Sequence, residues 1–334
     1  MTLILPTTPG TDRNAQLTML RERAPHLYRL VDHRRVVAAD ALNGAARDDF
    51  RADSDGGRGS SYSRAQSSLE VRSTGIGTLL DLFARRPDGE RSVVVDLLGG
   101  DGLVGRVASH LLGVRDLTLF TCDASPTMVD HAWRRGVCAL RQAAQFQLLR
   151  DGSVDGVLLA YGTHHIPREE LLAVFREAHR VLRPGGTLVV HDFETGSPMD
   201  IWFSDVVHRH SETGHDYPHF DRADFWSHFR ESGFGEIAVR EIDDSFRTRG
   251  ATQDQARSAM GSYLTDMYGL ALLREALGAP ACWEEVFRLG EEIFRYERLD
   301  GTVDRASFAQ DPVRGNVVLR LPRRALAGSG RKPG

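Results

Sequence analysis

The sequence predicts an α/β fold built on a parallel sheet, and two segments carry most of that prediction. In the first, Val93, Val94 and Val95 form a run of β-formers that stops at Asp96 and passes through Leu97 and Leu98 into Gly99, Gly100, Asp101 and Gly102. Leu103 then opens a helical pattern, with Val104, Val107, Leu111 and Leu112 mainly on one face. Glycines at such a strand end let backbone N–H groups approach a ligand where a side chain would block it. In the second, Leu117 to Asp123 reads as a buried strand ending in an acid, where a carboxylate can accept hydrogen bonds from ribose hydroxyls. Either segment alone could be structural: the glycines could form an ordinary turn, and Asp123 could cap the helix expected from Pro126.

The remaining elements fall in an order that supports the ligand-binding reading. Val154 to Tyr161 reads as a strand entering the polar loop Gly162, Thr163, His164 and His165, followed by a helix from Arg168 to Leu182. Arg183, Pro184, Gly185 and Gly186 then make a turn into a strand that reaches Phe193. Further strands are expected at Glu236 to Phe246 and at Asn316 to Leu321, the latter as the last core strand. Upstream, residues 13–46 show helical periodicity through Leu17, Leu20, Leu27, Leu30 and Val31, and a helix is expected from Arg64 to Phe83. Asp48 to Ser63 is dominated by Asp, Ser, Gly and Arg and reads as a mobile loop, as the C-terminal Gly-Ser-Gly-Arg-Lys-Pro-Gly reads as a disordered tail.

These motifs, in this order and spacing from about Leu79 to Phe193, resemble the class I S-adenosylmethionine-dependent methyltransferases, small-molecule type. The resemblance implies a seven-stranded, mostly parallel Rossmann-like sheet with an N-terminal helical arm and a helical lid insertion. Its organisation would be an arm and mobile loop over 1–63, a cofactor-binding core over 64–247 with a substrate loop at 195–233, a lid over 248–312, and the last strand and tail over 313–334. The implied cofactor is S-adenosyl-L-methionine, held by Asp96, Leu98, Gly99, Gly100, Asp123 and Ala124. Gln142 and Ala143 stand where the family meets adenine with an acid and an alanine, and Tyr161 is expected to line the same pocket. Leu98 replaces the usual first glycine of the family's first motif.

His164 and His165 are the catalytic candidates, because they follow the fourth strand on the sheet edge where a bound cofactor would meet an acceptor. Tyr62, Trp202 and His208 are candidate substrate residues. His208, His210, His215, Asp216 and His219 contain the makings of a metal site, but their spacings match no compact ligand motif, so no metal is expected. The aromatic segment from Thr248 to Asp311 suggests a lid or an oligomer contact, for which a homodimer is one assembly.

Composition narrows the function classes. A net charge of −4 with arginines scattered among acids gives no nucleic-acid footprint. No apolar run reaches membrane-helix length, which leads to a cytoplasmic expectation with a small molecule as partner. Cys122, Cys138 and Cys282 have no disulfide or metal spacing. The only lysine is Lys332, which excludes a P-loop or a Schiff-base mechanism on any earlier segment. The expected activity is methylation of a small molecule in specialised metabolism. A competing reading is an enzyme that consumes the same cofactor by cyclising its aminobutyrate chain to an azetidine and releases methylthioadenosine. A nicotinamide oxidoreductase is disfavoured by the missing G-x-G-x-x-G, and a non-catalytic scaffold by the intact cofactor motifs.

Overall fold

The apolar runs that start at Val93, Leu117 and Val154 form strands where the sequence places them. The structure, a computed structural model, describes residues 12–41, 50, 58–86 and 88–334. The first five strands are β1 (Ser92–Asp96), β2 (Leu117–Asp123), β3 (Ala139–Arg141), β4 (Val154–Leu159) and β5 (Leu182–Asp192). They are followed by β6 (Gly235–Asp243), β7 (Phe246–Gly250), β8 (Tyr296–Glu297), β9 (Val303–Asp304), β10 (Ser307–Gln310), β11 (Val317–Leu321) and β12 (Arg324–Arg331). A seven-stranded sheet runs β3-β2-β1-β4-β5-β12-β6, and β12 alone is antiparallel to its neighbours. The order reverses between β1 and β4, the crevice where open α/β sheets take ligands.

Two expectations about the C-terminal region are corrected. Val317–Leu321 is not the last core strand; it is the centre of a separate three-stranded sheet, β10-β11-β7. The segment read as a disordered tail is instead the seventh strand, with Leu326 opposite Asp192 on β5 and Arg324 opposite Asp243 on β6. Its small residues are a packing requirement. A Cβ at Gly328 would stand 2.7 Å from the Phe229 ring, and one at Gly330 would stand 2.6 Å from it. Lys332 is ordered as well: its Nζ donates to the carbonyl of Leu182 at 2.7 Å, where the helix Arg168–Val181 hands over to β5.

The strand expected from Glu236 to Phe246 is two strands in different sheets, divided by Asp244 and Ser245, both fully buried. The helix expected from Arg64 to Phe83 is also two, Gly59–Ala65 and Ser73–Leu80. Residues 59–63 of the expected mobile loop are therefore helical, and that helix crosses the domain boundary drawn at residue 63. Most of the rest of that loop lies outside the described residues.

The N-terminal arm shares the core of the sheet. Leu17, Leu20, Leu27 and Val31 are buried against the same cluster as Leu148, Leu149 and Val95. The Gln16 side-chain oxygen accepts from the Arg141 backbone N–H at 3.0 Å, which fastens the arm to the edge strand β3. The insertion between β6 and β12 is helical over Gln253–Tyr268, Ala271–Leu277 and Ala279–Ile293, then turns to short strands. Its Met260, Leu264, Val286 and Phe294 are buried in one cluster with Trp202 and Phe193 from the sheet side. The described part of the chain contains no helix long and apolar enough to cross a membrane.

Candidate active site

The glycine turn after β1 is held by the acid that ends β2. Asp123 Oδ2 accepts from the Gly100 backbone N–H at 2.8 Å, and Oδ1 accepts from Ser125 N–H at 2.8 Å. The helix Pro126–Arg134 is capped by the Ser125 side chain, so Asp123 is not its cap. Gly100 takes a φ of 53°, in the left-handed region. At Gly99 a Cβ would stand 2.8 Å from Thr121 Cγ2 and 2.9 Å from Asp96 Oδ2, so no side chain fits there. Asp101, which sequence reasoning passed over, is fully buried and anchors the turn from below: Arg106 reaches it at 2.9 Å and Arg135 at 3.2 Å. The same two arginines also bind the Gln66 and Ser63 carbonyls, which locks the helix Gly59–Ala65 over the turn and brings Tyr62 Cε1 within 3.7 Å of a Cβ placed at Gly100.

Asp96 is 1% exposed, and neither carboxylate oxygen has a hydrogen-bond partner. Burial, followed by the neighbouring Asp123 carboxylate, pushes its pKa up to about 8, with Arg72 pulling the other way. A buried acid held protonated beside a glycine cradle fits a cationic group on a ligand, whose charge would draw the proton off. The sign for stability follows by linkage. From about pH 4, the ordinary carboxylate value, up to about pH 8 the folded chain holds a proton that the unfolded chain has lost, so this group's contribution to stability falls as pH rises and is level above that window. Binding of a cationic cofactor at pH 7 should therefore release a proton. Calorimetry in two buffers of different ionisation enthalpy checks this, and Asp96→Asn should abolish the release; an unchanged release in that variant would assign the proton elsewhere.

The other expected cofactor residues are placed unevenly. The Leu98 Cδ1 lies 3.8 Å from a Cβ built at Gly162, so its side chain bridges the glycine turn and the loop after β4. Ala124 is exposed beside Asp123. Gln142 is 2% exposed; its Oε1 accepts from Leu148 N–H at 2.8 Å, and its Nε2 is buried without a partner. That geometry leaves the amide's N–H donors unpartnered, while its oxygen already accepts one backbone bond. Ala143 is half-buried on the following residue.

Tyr161 has a φ of 64°, an uncommon backbone state for a bulky residue and a frequent mark of a functional site. Its hydroxyl donates to Asp244 Oδ1 at 3.2 Å, and the Arg72 guanidinium lies 3.6 Å above its ring. Asp244 also meets His191 Nε2 at 3.0 Å and Arg323 at 2.7 Å. It approaches the helix Ser73–Leu80 so closely that a Cβ at Gly75 would stand 1.7 Å from its Oδ1. Burial works against the Asp244 charge, but Arg323, His191 and Arg72 together hold its pKa below the ordinary value. This network of Arg72, Tyr161, His191, Asp244 and Arg323 was invisible to sequence reasoning, because Asp244 sits inside what reads as one strand.

His164 and His165 stand where β4 ends. The His164 Nδ1 is 2.8 Å from Asp192 Oδ1, and its backbone N–H donates to Asp192 Oδ2 at 2.7 Å. Burial, then the neighbouring His164, holds the His165 pKa well below its ordinary value, so that imidazole is neutral at pH 7. His165 faces Phe50 at a ring separation of 6.0 Å, and Phe50 meets Tyr62 at 4.9 Å, which gives a continuous aromatic wall from the glycine turn to the imidazoles.

Two of the expected substrate residues have other tasks. Trp202 is fully buried against Tyr268 and Phe294 and is a core residue. His208 is exposed, and its Nδ1 lies 2.9 Å from the carbonyl of His215, so it shapes a loop. That loop brings His215 to a ring separation of 5.1 Å from His164, and His219 to 5.2 Å. His215 and His219, whose spacing in sequence matches no compact ligand motif, are thus brought beside His164 in space.

Residues 96–190 match the family model described as a methyltransferase domain. This part of the chain resembles the methyltransferase domain of the class I S-adenosylmethionine-dependent enzymes. Among curated relatives, the chain is 30% identical over 133 residues to the ubiquinone/menaquinone biosynthesis C-methyltransferase UbiE of Hahella chejuensis, across 37% of this chain and 53% of that protein. It is 36% identical over 118 residues to the demethylmenaquinone methyltransferase of Beutenbergia cavernae, across 35% and 45%. The match thus spans about half the length of these relatives. Among solved structures, a phosphoethanolamine N-methyltransferase 2 of Haemonchus contortus aligns with 78% of this chain and 52% of its own, at a TM-score of 0.49 and 14% identity. Within the methyltransferase domain, the glycine turn, Asp96 and Asp123 are the residues that suit S-adenosylmethionine.

Proposed function

We propose that this chain transfers the methyl group of S-adenosylmethionine to a small-molecule acceptor in specialised metabolism. The observation that carries this reading is the cradle at the β1 and β2 ends: a glycine turn pinned by Asp123, a partnerless buried Asp96 below it, and an aromatic and imidazole wall beside it. Asp96, Gly99, Gly100, Asp123 and Ala124 would hold the cofactor, with Gln142, Ala143 and Leu98 around them. Bound there, S-adenosylmethionine supplies an already activated methyl group. The protein's part is to hold the acceptor in line and exclude water. Tyr62 and Phe50 would form the wall of the acceptor space. Where the acceptor must lose a proton, His164 and His165 are the groups placed to accept it. The curated relatives align over about a third of this chain, so their quinone acceptors are not carried over.

Asp123→Ala should weaken S-adenosylmethionine binding by about 1.5–3 kcal/mol, the scale of a hydrogen bond to a charged group, with further loss as the Gly100 turn loosens. Titration calorimetry measures the affinity, and unchanged binding in a normally melting variant would remove the ribose role. Mass spectrometry of the spent cofactor decides the chemistry. S-adenosylhomocysteine means methyl transfer, and methylthioadenosine means the cyclising alternative.

A further inference from the structure

Four imidazoles converge at the ends of β4 and β5, more than transfer from an activated methyl donor requires. The ligand atoms of His164, His165 and His215 lie within 4.8 Å of one another, and so do those of His164, Asp192 and His219. The Nε2 atoms of His164, His215 and His219 are all buried without a hydrogen-bond partner. An unpaired polar atom in such a place is costly, and three in one pocket point to a shared ligand. Their other nitrogens and rings are already fixed. The His164 Nδ1 rests on Asp192, and the His219 Nδ1 is 2.7 Å from Asp200 Oδ1. The His215 ring stacks on Phe203 at 4.1 Å and 17°. A carboxylate on one ring nitrogen, with the other nitrogen turned to a common point, is how proteins orient imidazoles around metals.

We propose that His164, His165 and His215 bind one divalent first-row transition-metal ion, with His219 beside it as a further ligand and Asp192 and Asp200 orienting the rings. Imidazole nitrogens select zinc or iron(II) over calcium or magnesium, which take oxygen ligands. A tetrahedral ion with metal–nitrogen bonds of about 2.0–2.1 Å would draw the ligand atoms to about 3.3 Å apart, a closure of an ångström or so from the present limit. The ion would face the aromatic wall that leads to the glycine turn. Its ligand class is then an acceptor that binds through a hydroxyl oxygen, which gives its proton to solvent on binding and is held by the ion as the oxyanion. That last step rests on the methyltransferase reading. It replaces proton acceptance by His164 and His165, whose lone pairs would be on the ion.

The test is metal binding by the whole chain, without turnover. Protein stripped with chelator and titrated with zinc or cobalt(II) should take up about one ion, read by mass spectrometry of the metal and by the visible bands of tetrahedral cobalt(II). Asp200→Asn should weaken binding about 10–100-fold, and His215→Ala and His164→Gln by more. His210→Ala should change nothing. If the wild type takes up no ion at millimolar metal, or if His215→Ala and His164→Gln both bind as the wild type does, the site is refuted. S-adenosylmethionine affinity, measured alongside, separates this outcome from a failure of the cofactor reading: lost metal with intact cofactor binding touches only the metal site.

Discussion

Truncation after Arg323 should leave a chain with no cooperative unfolding transition. The removed strand, β12, is paired on both sides, from Leu326 opposite Asp192 to Arg331 opposite Thr187 on β5, and along β6 from Arg324 to Arg331. Without it, the buried strand β5 has an open edge and β6 has no partner, while Phe225 and Phe229, both fully buried, lose the surface they pack on. Domains of ordinary stability hold only about 5–15 kcal/mol, and the loss of two strand ladders and an aromatic layer exceeds that margin. A finer version is Gly330→Leu, which forces a side chain into the Phe229 ring and should cost about 1–3 kcal/mol or more. Far-UV circular dichroism with urea melts reads both. A truncated chain that melts like the whole one would show that β12 contributes nothing.

Asp244→Ala should be the most damaging single substitution among the buried polar residues, at about 3–5 kcal/mol. It strands the Arg323 guanidinium, 3% exposed, and the fully buried His191, and both lie too deep for water to replace the carboxylate. Tyr161→Phe removes one hydrogen bond to the same carboxylate and should cost only about 0.5–1.5 kcal/mol. Urea unfolding of the two variants tests the ranking. Equal losses would mean that the network is held by packing and not by the Asp244 charge.

The cofactor half of the molecule was legible because each of its elements is local. β1, β2, β4 and β5 are apolar runs bounded by Gly, Pro or Asp with helical patterns between them, which reads as a parallel sheet, whereas the three-residue β3 has no such boundary. The acceptor half was not, since its chemistry is assembled from distant positions. His164 meets His215 and His219 only because His208 and Phe203 fold the intervening loop back. Asp244 meets Arg323 only because the chain leaves one sheet for another at that residue and returns after the insertion. Gly328 and Gly330 misled for a different reason: small residues signal disorder by composition, yet here they are what the Phe229 ring leaves room for. Trp202 misled in the opposite sense, as an aromatic that fills a core instead of gripping a ligand.

The placement of Lys332 has a practical consequence. In a chain of 334 residues it is the only side-chain primary amine, and its Nζ is tied to the Leu182 carbonyl beside the incoming end of β5. An amine-selective acylating reagent therefore has one side-chain target, a half-buried amine that must leave the Leu182 carbonyl before it reacts. The rate at which it becomes labelled, followed by intact mass, is a clock for how often this seam of the sheet opens in solution.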